Sequence, residues 1–117
     1  LSHNSLTFFR YTPLGMEFEK RFTDVLYEEY LQRQRQEQVE YISLLVIRDR
    51  VCYRLRIGNP HFEMMLQTIF PKAVRGELSY SMALEVDITP TERNQLRGVV
   101  PIVVDNATRY IIAMRRQ

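Results

Sequence analysis

The chain has 117 residues, 45% hydrophobic and 26% charged, with a net charge of +2, which is the balance of one globular domain. Seven Tyr and six Phe supply a core that needs no disulfide or metal staple, and a charge so near neutrality does not announce a polyanion-binding protein. The apolar runs 42–47 and 99–104 have strand length, far short of the ~20 residues a membrane helix needs, so no membrane partner is expected.

The chain opens on Leu1 without a signal-peptide pattern, and residues 1–117 are expected to form a single domain excised from a longer protein. Cys52 is the only cysteine, which rules out an intramolecular disulfide and favours an intracellular setting, cytoplasmic or nuclear.

Residues 1–5 read as a loose end and 6–11 as a short strand. Thr12-Pro13 opens a helix as N-cap and first helical residue. Leu14, Phe18, Phe22, Val25, Leu26 and Tyr30 then recur at three- and four-residue spacing, one apolar stripe. Acidic residues come early and Arg33 and Arg35 late, as the helix dipole prefers. The polar run 32–38 is either further solvated turns or a linker.

Two β-rich runs, 41–48 and 50–57, predict an antiparallel hairpin around Asp49. The first is apolar on both faces and belongs at the centre of a sheet. Asn59-Pro60 starts a second helix with Phe62, Met65, Leu66 and Ile69 on its core side, and Pro71 stops it. From about Leu78 to Asp87, Tyr80, Met82, Leu84 and Val86 alternate with Ser81, Ala83, Glu85 and Asp87, the pattern of a one-sided strand. Thr89-Pro90-Thr91-Glu92 is a capping box for a short third helix, with Gly98 as its C-terminal cap. Runs 99–104 and 109–115 predict a closing hairpin around 105–108.

The fold class expected is α+β: a mainly antiparallel sheet with two longer helices packed on one face and a short third helix.

No constellation in the chain carries a catalytic or metal signature. His3, Cys52 and His61 are too few for structural zinc. Cys52 with His61 lacks an orienting third residue, so Cys52 reads as a packed strand residue and His61 as a solvated first-turn one. The four glycines form no phosphate loop. Glu85 and Asp87 share a strand face, but Glu92 is committed to the capping box. The expectation is a non-enzymatic chain with no cofactor and no metal.

Fourteen of sixteen basic residues are Arg, and Arg48, Arg50, Arg54 and Arg56 fall within nine residues. On a sheet face beside Tyr41 and Tyr53 they would suit RNA or single-stranded DNA; otherwise they pair with the acidic first helix. A second signal is surplus apolar surface on Ile42, Leu44, Val46 and Ile111, which suits self-association or a partner protein. The leading expectation is a protein-interaction domain, adaptor or assembly in kind, and the alternative is a nucleic-acid-binding module on an arginine-bearing sheet face.

Overall fold

The computed structural model describes residues 13–117; the strand expected at 6–11 and the cap expected at Thr12 lie outside them. Helix α1 (Pro13–Glu37) is followed by strand β1 (Ile42–Ser43), helix α2 (Leu44–Leu55), helix α3 (Asn59–Val74) and strand β2 (Tyr80–Glu85). Short helix α4 (Pro90–Gln95), strands β3 (Val103–Val104) and β4 (Ala107–Thr108), and strand β5 (Ile111–Arg116) complete the chain. The class is α+β, with an antiparallel sheet and helices.

The stripe on α1 buries Phe22, Val25, Leu26 and Tyr30. The polar run 32–37 is helix, and Gln38 ends it in a left-handed conformation, φ 55°. The Tyr30 hydroxyl donates to the Glu40 carbonyl at 2.6 Å and ties the outgoing chain to the helix.

The hairpin expected over 41–57 does not form. Only Ile42 and Ser43 are extended, and Ser43 then caps α2, its hydroxyl accepting the Val46 amide at 3.4 Å. Leu44, Ile47, Arg48 and Val51 are the buried residues of α2, a helical period in which one core-facing position is charged. Arg56 closes the helix with φ 56°. A β-rich composition is a weak prior that tertiary packing overrides.

In α3, Phe62, Met65, Leu66, Ile69 and Ala73 face the core. Pro71 does not stop this helix but lies inside its last turn, where burial of Ala73 carries the chain one step further. Phe22 and Phe62 meet with ring centroids 5.4 Å apart, joining α1 to α3.

The main sheet has the order β1-β5-β2, antiparallel throughout. Ile42, Ile112, Leu84, Met82, Met114 and Tyr80 share one face by register and belong to the buried core. The closing hairpin expected between 99–104 and 109–115 is also corrected. Strand β3 pairs with β4 across Asp105 and Asn106, both at positive φ, the two-residue turn that matches strand twist. Strand β5 is thereby freed to lie centrally between β1 and β2. Ile102 and Val104 are buried, and the Val103 backbone is held from α3, its amide by Glu63 and its carbonyl by Gln67.

Candidate interaction surface

The four arginines lie on α2 and its cap and not on a sheet face, which corrects the placement expected for them. Arg54 donates to Glu28 at 2.8 Å and to Glu29 at 3.1 Å, and Arg50 approaches Glu29 at 3.5 Å. Both therefore clamp α2 to the acidic side of α1. Their carboxylate neighbours hold the Arg54 guanidinium above its usual pKa, the Glu28 hydrogen bond being the main cause. Arg48 is 4% exposed and donates to the Val100 carbonyl at 2.7 Å, while its Nε finds no partner. That bond stitches α2 to the segment before β3. Only Arg56 of the four makes no side-chain bond among the described residues.

Cys52 and His61 do not come together as a nucleophile and base. The Cys52 thiol is directed at the Gly58 carbonyl, 3.8 Å, and Asn59 Oδ1, 4.0 Å. Burial pushes its pKa up, so the thiol is favoured over the nucleophilic thiolate. His61 is half-buried and not fully solvated. Its ring stacks on Phe18 at 5.2 Å, its Nε2 is buried without a partner, and burial lowers its pKa. The Glu92 carboxylate accepts the Thr89 amide at 3.2 Å, completing the capping box. No group of three or more His, Cys, Asp or Glu is gathered for a metal among the described residues, and no described helix is long and apolar enough to cross a membrane.

The apolar positions singled out from the sequence separate. Ile42 and Leu44 are wholly buried in the core and offer nothing to a partner. Val46 and Ile111 are half-buried. Ile111 lies on the sheet face away from the core residues, together with Ser81, Ala83, Ala113 and Arg115. On this outer face a shallow depression of about 300 Å³ is lined by Ser81, Ala83, Ala113, Tyr41, Glu40 and Arg115.

Among the described strands β2 is an edge, hydrogen-bonded to β5 alone, although it is six residues long. The Gln117 amide donates to the Ser79 carbonyl at 2.8 Å in the same register, so odd-numbered residues aim their backbone at β5 and even-numbered ones aim it outward. The Leu84 carbonyl accepts from Arg109 at 2.9 Å. Among the described residues nothing comparable reaches the outward amides and carbonyls of Tyr80 and Met82. Natural edges are blunted by Lys, Pro or a bulge, and Tyr80-Ser-Met-Ala-Leu-Glu85 has neither Lys nor Pro and keeps an unbroken register. The alternation was readable in the sequence; the missing neighbour was not.

Beyond β2 the chain forms an arm. Helix α4 contains no buried residue, and its backbone lies close to no other described helix or strand. Val86, Val99 and Val100 are exposed around it.

Compared with protein-family models, with curated proteins and with solved structures, the chain gives no match.

Proposed function

We propose that this chain is a protein-interaction domain that receives an extended protein segment as an added strand along β2. The observation that carries the reading is the outward backbone of Tyr80 and Met82, which has no partner among the described residues. Such groups are obligatory hydrogen-bonding sites, and strand addition gains affinity from main-chain bonds while side chains on alternate faces set specificity. The outer face beside this edge is lined by small residues, Ser81, Ala83 and Ala113, which leaves room for a partner's side chains. The nucleic-acid alternative draws less support, because Arg50 and Arg54 are engaged with Glu28 and Glu29 and Arg48 is buried.

The test is backbone hydrogen exchange on the free chain and on complexes captured from the cells that make it. The amides of Tyr80 and Met82 are expected to exchange freely in the dilute chain and to become protected in the complex. Protection confined to other segments, with these two amides still open, would refute strand addition.

A further inference from the structure

The two ends of the β2 edge differ in charge. Glu85 ends the strand and Asp87 follows it. At the other end Arg115 and Arg116 stand beside Ser81 and Tyr80 in the ladder with β5. The residues between, Tyr80 to Leu84, are uncharged. Arg115 meets Glu40 at 3.3 Å, but its side chain is 79% exposed, so that pair is weak and most of the guanidinium faces water. A parallel copy of this edge would set acid beside acid and base beside base. An antiparallel copy sets Glu85, on the outer face, toward the partner's Arg115 on that same face, twice over. Antiparallel pairing of one strand with itself is also what a twofold axis produces.

On the reading of β2 as a docking edge, we infer that its occupant is a second copy of this chain, paired antiparallel through β2 about a twofold axis at Met82. The even-numbered residues carry the outward backbone, so Met82 pairs with the partner's Met82 and Tyr80 with the partner's Leu84. The Leu84 carbonyl already holds Arg109 and keeps a second lone pair for this bond. Ser81 faces the partner's Ala83, and Ser79 faces the partner's Glu85. The partner's Glu85 then lies diagonally from Arg115 across the outer face, about 12 Å between Cα positions at ordinary sheet spacings. An extended arginine and glutamate span that gap, and Ser79 and Ser81 between them are too small to obstruct it.

The test uses the full chain in a Cys52→Ser background. Ser81→Cys and Ala83→Cys chains, one of them carrying a size tag, are mixed and mildly oxidised. The mixed disulfide is expected to dominate over both homodisulfides, because the register sets these two positions opposite each other. In sedimentation the unmodified chain is expected to form a dimer, Glu85→Arg to raise its dissociation constant roughly tenfold, and Glu85→Arg with Arg115→Glu to recover it. Circular dichroism of each variant checks that the fold survives.

A dimer without the mixed disulfide, or one indifferent to the charge reversal, overturns the inference. A chain monomeric at every concentration also overturns it. If captured complexes of such a monomer still protect Tyr80 and Met82, docking on β2 stands with a different partner; if they do not, both readings fall.

Discussion

Replacing Glu29 by Gln tests how α1 and α2 are held together. The Glu29 side chain is 8% exposed and receives Arg54 at 3.1 Å and Arg50 at 3.5 Å. Removing one partner of a fully buried ion pair costs about 3–5 kcal/mol, because the remaining charge is stranded. Here the arginine side chains are 32% and 58% exposed and regain water, and Arg54 keeps Glu28. The loss is therefore set by two partly screened contacts, about 1–2 kcal/mol in total. Urea unfolding measures it as a lower midpoint with unchanged slope. A double-mutant cycle of Glu29→Gln with Arg54→Met should give a coupling of about 1 kcal/mol. The geometry of the clamp is helical: residues 50 and 54 lie one turn apart on a helix face, which brings both guanidiniums to the one Glu29 carboxylate. A Glu29→Gln chain as stable as the parent, with no coupling to either arginine, would refute the clamp.

Two further outcomes are expected. Burial lowers the pKa of His61 below 6.5, so the unfolded chain takes up this proton first as pH falls. Its contribution is full above pH 6.5 and declines below it through the folded pKa, by up to about 1.4 kcal/mol per pH unit. Thermal unfolding at pH 7.5 and 5.5 should show the decline, and His61→Phe should flatten it; equal slopes in the two chains would count against the buried neutral ring. Thr89→Ala removes the cap of α4, worth about 1 kcal/mol to the helix. Because α4 has no buried residue and its backbone lies close to no other described element, hydrogen exchange within 92–97 should quicken while the global unfolding midpoint stays in place. A global loss of the full cap energy would mean that α4 belongs to the cooperative core.

Where local chemistry and long-range packing agree, the elements were legible. The α1 stripe, the alternation of β2 and the Thr89–Glu92 box each carry their signal within a few neighbouring residues. The segment 41–57 misled because its period is broken at the decisive place. The residue that completes the buried face of α2 with Leu44, Ile47 and Val51 is Arg48, a charge. The side-chain bond that Arg48 makes is to the distant Val100 carbonyl, which no local pattern announces, and the β-formers around it then suggest strand.

The amino-acid sequence alone determined the class, the amphipathic helices α1 and α3 and the Thr89–Glu92 cap, because these depend on residues close along the chain. The tertiary structure decided what neighbours what. It put β5 between β1 and β2, set Glu29 among the arginines, and left β2 with one neighbour among the described strands. Those pairings join residues 21 to 70 positions apart, and no local pattern reports which groups meet once a chain has closed such distances.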